Sequence, residues 1–201
     1  MKTKPILLFL ILNSHFLILN CAFSQTFERT YGGTRSETGT CIQHTLDGNY
    51  IVSGMAASFT NGINDAYLMK INPQGNLLWS KVYGGTNDDK FYYVSDCSDG
   101  GFILTGSTNS FGNGSNDLLL VRTDLDGNLL WSNTYGGTGD DYGWYVLQAN
   151  DGGFLVSGFT NSFGHGDFDG YLVKTNSTGA LQWAKRFGGT KDDNLYGMSK
   201  T

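Results

Sequence analysis

Apolar residues in this chain alternate with polar ones in short runs rather than recurring at helical spacing. The stretch that begins at Tyr135 shows the pattern: "GWYVLQA", "GGFLVSG", "GYLVKT" and "LQWAKRF" follow one another. Each run has the length and composition of a β-strand, and none carries an apolar stripe of period 3.6. The separators, "SFGHGDFD", "NSTGA" and "GGTGDD", are clusters of Gly, Asn, Asp, Ser and Thr, residues that permit tight turns or cap the backbone locally. The second run is the most informative. "YIVSG", "FILTG" and "FLVSG" are apolar at successive positions, so this strand must be covered on both faces.

The four-run pattern repeats every 52 residues. Units 31–82, 83–134 and 135–186 align without an insertion, and a further unit opens at 187–201. A repeating four-stranded unit that hides both faces between its neighbours is the blade of a propeller. The sequence therefore predicts an all-β fold: a β-propeller of four-stranded antiparallel blades that is incomplete, with three full blades plus flanking strands. Trp79, Trp131 and Trp183 stand at equivalent points and are expected to fill the gaps between blades. "FERTY" (27–31) matches a fourth strand without its blade, and "NLYGMSK" (194–200) a first strand without its blade. A closed ring needs at least four blades. The expectation is a truncated product or fragment of a longer propeller, or self-association through the open blade edges.

The combination of "GGTGDDYGW", "NDGGFLVSG", "SFGHGDFDGYLVKT" and "GALQW" resembles the secreted bacterial β-propeller repeat family, the SBBP-type repeats. The resemblance spans the chain after its first 24 residues. The first unit departs from the pattern, since Ser36 and Glu37 replace the paired aspartates. What the resemblance implies is a fold and an extracellular setting; it carries no activity with it.

The N-terminus agrees with export. Lys2 and Lys4 precede a mostly apolar segment over residues 6–19, and Ala22 and Ser24 stand at the −3 and −1 positions of a cleavage site before Gln25. Residues 1–24 are read as a signal peptide and 25–201 as the partial propeller. A membrane-spanning helix is the weaker alternative, because Asn13, Ser14 and His15 interrupt a run already shorter than the roughly 20 apolar residues a bilayer needs. A lipid anchor on Cys21 is disfavoured by Asn20 before it. No transmembrane segment is expected in the mature chain, which is placed outside the cell or on its surface. Cleavage removes two of the 13 basic residues and none of the 18 acids, making an already acidic chain more so. Such a balance excludes nucleic acid and anionic lipid as natural partners. The mature cysteines, Cys41 and Cys97, occupy positions that point the same way around the ring, so no disulfide is expected between them.

Strand order assigns the loops after the second and fourth strands to one rim. That rim carries Glu37, Asp65, Asp117, Asp167 and Asp169, and the pairs Asp88–Asp89, Asp140–Asp141 and Asp192–Asp193. Clustered carboxylates could offer a hard cation such as calcium its oxygen ligands, or contact a glycan. The competing reading is that each aspartate binds N–H groups of its own turn, and recurrence in every unit favours it. Asp65, Asp117 and Asp169, each five residues before Lys70, Arg122 or Lys174, look structural. His44 and His165 sit at unrelated positions of their units and form no nucleophile or zinc pattern, and "DLDGN" (124–128) lacks most of a calcium loop. No catalytic, metal or cofactor residue is singled out. The expected function is a non-catalytic binding or scaffold module with a glycan or protein ligand on the acidic rim. The alternative is a carbohydrate-active enzyme, a glycoside hydrolase or lyase using rim carboxylates.

Overall fold

A computed structural model describes residues 28–60, 63–164 and 167–199. Residues 1–27, on which the expected signal peptide and Cys21 fall, and the loop residue His165 lie outside the described residues. Twelve strands form three antiparallel four-stranded sheets with no helix among the described residues. The first blade is β1 (Glu37–His44), β2 (Tyr50–Ala56), β3 (Asp65–Ile71) and β4 (Leu77–Tyr83). The second is β5 (Asp89–Asp96), β6 (Phe102–Thr108), β7 (Asp117–Thr123) and β8 (Leu129–Tyr135). The third is β9 (Asp141–Gln148), β10 (Phe154–Thr160), β11 (Asp169–Thr175) and β12 (Leu181–Phe187). Strands pair in chain order within each blade.

The blades stack through two apolar layers. Between blades one and two lie Ile51, Leu68, Phe91, Val94, Phe102 and Leu104. Between blades two and three lie Ile103, Leu118, Leu120, Val146, Phe154 and Val156. Every residue of β6 and β7 is buried, because the middle blade is covered on both sides. The outermost strand β12 is exposed throughout. Trp79 and Trp131 bridge successive blades, with ring centroids 6.2 Å from Phe102 and 5.7 Å from Phe154. Trp183 is 39% exposed on the open face of the third blade. First strands lie against one another, β1 on β5 and β5 on β9, which puts them at the narrow end of each wedge and the fourth strands at the wide end. Parallel bridges from Asn64 to Asp88 and from Asn116 to Asp140 bring the loops after second and fourth strands onto one rim.

The two flanking strands expected at the ends do not form. Residues 28–31 and 194–199 are irregular. A strand exists through its ladder bonds, and the third strand that would pair with the first segment, and the second strand that would pair with the last, have no counterpart among the described residues. Both segments still hold their places. Tyr31 Oη donates to Gly75 O at 2.6 Å, as Tyr83 does to Gly127 O, and Asp193 N donates to Phe168 O at 2.7 Å.

One feature of the first strands escapes the alternating pattern. Each contains a β-bulge: Gly39 and Cys41 face Gly54 and Ser53, Phe91 and Tyr93 face Gly106 and Thr105, and Gly143 and Tyr145 face Gly158 and Ser157. Thr40, Tyr92 and Trp144 are therefore the extra residues. The bulge dictates the glycine that closes "FILTG": a Cβ on Gly106 would overlap the carbonyl of Lys90.

Candidate functional site

The rim carboxylates are mostly committed to the fold. Asp88 and Asp140 each accept from the side-chain amide one blade back, Asn64 Nδ2 and Asn116 Nδ2, both at 2.7 Å. Asp192 accepts from Phe168 N at 3.1 Å. Asp89 accepts from Gly85 N at 2.8 Å, from Ser110 Oγ at 2.6 Å and from Thr108 Oγ1. Asp141 accepts from Gly137 N at 2.9 Å and Ser162 Oγ at 2.5 Å. Asp117 binds the N–H groups of Asn113 and Gly114, both at 3.0 Å. In the first unit the longer Glu37 does the same work, taking Gly33 N and Ser58 N at 3.0 Å. Hydrogen bonds to Ser58 lead the causes that lower its carboxyl below the ordinary glutamate value. These carboxylates are turn locks, and among the described residues no three His, Cys, Asp or Glu side chains converge to hold a metal ion.

The remaining sequence candidates are structural as well. Asp124 Oδ1 accepts from Asp126 N and Asn128 N within its own turn, at 2.9 and 2.7 Å. The buried Lys70 and Arg122 reach Asp47 and Asp99 in the turn between first and second strands, Lys70 Nζ at 2.7 Å. Burial alone would raise the Asp47 carboxyl, but hydrogen bonds from Lys70 and Thr45 hold it far below its ordinary value. His44 packs edge-on against Tyr50, with centroids 5.4 Å apart. No disulfide joins Cys41 to Cys97. Cys41 packs at the joint of blades one and two, and Cys97 at the joint of blades two and three.

What the rim does not supply, the blade joints do. Wedges that touch at their first strands diverge outwards, and at the circumference they leave clefts of about 440 and 660 Å³ between successive blades, with a matching cleft of about 640 Å³ between residues 28–32 and the first blade. The three clefts are the same site repeated. Each is lined by a tyrosine (Tyr31, Tyr83, Tyr135), a loop phenylalanine (Phe59, Phe111, Phe163), a leucine that opens a fourth strand (Leu77, Leu129, Leu181) and the glycine that the tyrosine hydroxyl binds. The phenylalanines are 49%, 54% and 43% exposed, large apolar surfaces held beside a cleft rather than packed away. The polar residue two positions before the tyrosine differs in each cleft: Arg29, Lys81 and Asn133. A shared apolar wall with a variable polar group is suited to holding one ring or one apolar side chain per joint, with preferences that differ from joint to joint.

A second constellation lies on the first strands and was not singled out from sequence. The bulge residues Tyr92 and Trp144 stack at 4.5 Å with planes 9° apart, and Tyr196 meets Trp144 edge-on at 5.4 Å. Tyr93 and Tyr145 lie 4.1 Å apart beside them, with Gln43 Nε2 donating to Tyr93 Oη at 3.0 Å. Burial, then Tyr145, pushes the Tyr93 hydroxyl well above its ordinary range. The signal was present: positions 40, 92, 144 and 196 read Thr, Tyr, Trp, Tyr and so break the repeat. Because Tyr92 stacks on Trp144 and Tyr93 lies against Tyr145, these rings knit the blades together, while Tyr196 stays largely exposed.

Fold and clefts define a repeat protein built of propeller blades with one potential site per joint. No family model matches the chain, and no curated protein matches it.

Proposed function

We propose that this chain is a secreted or cell-surface propeller-repeat protein of the SBBP type that acts as a non-catalytic binding module, and that its ligand, a glycan or a protein segment, is held at the clefts between blades. One observation carries the reading: an exposed phenylalanine, a leucine and a tyrosine recur beside an open cleft at both blade joints and at the matching face of the first blade. A multivalent array of this kind gains avidity for a repetitive ligand without any single site being tight. The rim is the edge of the site rather than its centre, since most of its carboxylates are engaged in their own turns or with the loop one blade back. The enzymatic alternative draws no support from Asp140 and Asp141, whose oxygens accept bonds from Asn116, Gly137 and Ser162.

The test uses full-length chain and a Phe59→Ala, Phe111→Ala, Phe163→Ala variant on a glycan array and in pull-downs with extracellular proteins. Binding that weakens at least tenfold in the variant is expected. Blank results with folded protein would defeat the proposal, and turnover of a polysaccharide that Asp140→Asn and Asp141→Asn abolish would replace it with the enzyme.

A further inference from the structure

At the two full joints, an aspartate from the third strand of one blade faces an aspartate from the first strand of the next, across the first glycine of "YGGT". The point where a Cβ on Gly84 would stand is 2.6 Å from both Asp65 Oδ1 and Asp89 Oδ2. On Gly136 that point is 2.8 Å from Asp117 Oδ1 and closer still to Asp141 Oδ2. All four side chains are buried: Asp65 is 7% exposed, Asp117 3%, and Asp89 and Asp141 0%. Two ionised carboxylates cannot face each other in so dry a place without a proton or a cation between them.

Donors are spread unevenly over the four carboxyls. Asp89 and Asp141 collect N–H and hydroxyl donors, and Asp141 keeps a buried Oδ1 without a partner. Asp117 spends Oδ2 on two N–H groups, which leaves Oδ1 to the facing carboxyl, and buried Asp65 Oδ1 has no donor of its own. We propose that each full blade joint binds one proton, carried by Asp65 where it faces Asp89 and by Asp117 where it faces Asp141.

Burial first, and the facing aspartate with it, pushes the Asp65 and Asp117 carboxyls above their ordinary values, in line with this assignment. Other charged or titratable groups bear on the pairs in known ways. Lys90 on β5 is engaged with Asp88 at 3.9 Å, and Tyr142 and Tyr171 lie near Asp141, which adds to the burial that raises both hydroxyls to about 12. Beyond the third blade the matching pair is Asp169 and Asp193 across Gly188; there Asp193 is exposed to water and Arg186 Nη1 stands 3.5 Å from Asp169 Oδ2, so that pair is less isolated.

A carboxyl whose folded value is raised contributes stability that is complete below its unfolded value and is lost as pH rises through the folded one. The joints are thus proton-closed latches that loosen towards alkaline pH. Thermal unfolding of the full chain and of an Asp65→Asn, Asp117→Asn variant, whose amides imitate the protonated acids, tests this with and without chelator. The expected result is equal melting temperatures at about pH 3.5, below the unfolded value, and a variant several degrees more stable than the parent at about pH 8.5. Infrared spectra of the unmutated chain at about pH 7 should contain the carbonyl stretch of a buried carboxylic acid, a readout that survives even if the variant fails to fold. Parallel pH profiles, or absence of that stretch, would overturn the proposal. So would stabilisation of the parent by calcium chloride at about pH 8 that the variant lacks, since a metal ion would then occupy the joint.

Discussion

Gly84 and Gly136 show how much a single hydrogen can decide. Neither needs a left-handed backbone; each is glycine because a methyl group there would press on two carboxylates at once. Gly84→Ala and Gly136→Ala should each lower stability by about 1–3 kcal/mol through overpacking, read as a fall in denaturant midpoint at constant slope. Asp47 works the other way. Its carboxyl lies below its ordinary value, so its contribution is complete above the unfolded value near 3.9 and is lost as pH falls through the folded one. Asp47→Ala leaves the buried Lys70 amine without its partner and should cost about 1–2 kcal/mol at neutral pH, discounted because the carboxylate is itself partly exposed. The turn-lock role of the aspartates was legible from their recurrence. Their pairing across the joints was not, because Asp65 and Asp89 belong to different units and meet only when blades stack.

Among the elements, the four strands of each unit follow closely from the apolar runs: "GYLVKT" is all but the first residue of β11, and "LQWAKRF" is β12. The bulges escaped notice because a strict period of two has no place for an extra residue. They re-aim Thr40, Tyr92 and Trp144 towards the neighbouring blade, where Thr40 Oγ1 donates to Phe91 O at 2.7 Å. The ends of the pattern were misread for a related reason. "NLYGMSK" has the composition of a first strand, but composition does not supply the partner that makes a strand. The tryptophans give a test at this scale. Trp131→Ala opens a hole against Phe154 and should cost about 3 kcal/mol, whereas Trp183→Ala, at a half-open face, should cost under about 1 kcal/mol. Equal costs in chemical denaturation would mean that Trp183 is covered in solution as Trp131 is.

For the whole molecule, the 52-residue period determined almost everything about architecture. It set four strands per blade, buried second strands and a common rim, because a fixed spacing of apolar runs and turn residues leaves one way to hide both faces of a sheet. Tertiary structure alone decided where a ligand could sit. The clefts arise from the angle between wedges, and the phenylalanines that line them look in sequence like any loop residue. It also decided which acids meet: the recurring aspartates read as caps of their own turns, and only stacking brings Asp65 to Asp89 and Asp117 to Asp141. Local pattern fixes which backbone groups pair within a blade. Contacts between residues about a full repeat apart depend on how blades lean together, and nothing in the order of residues along one strand encodes that lean.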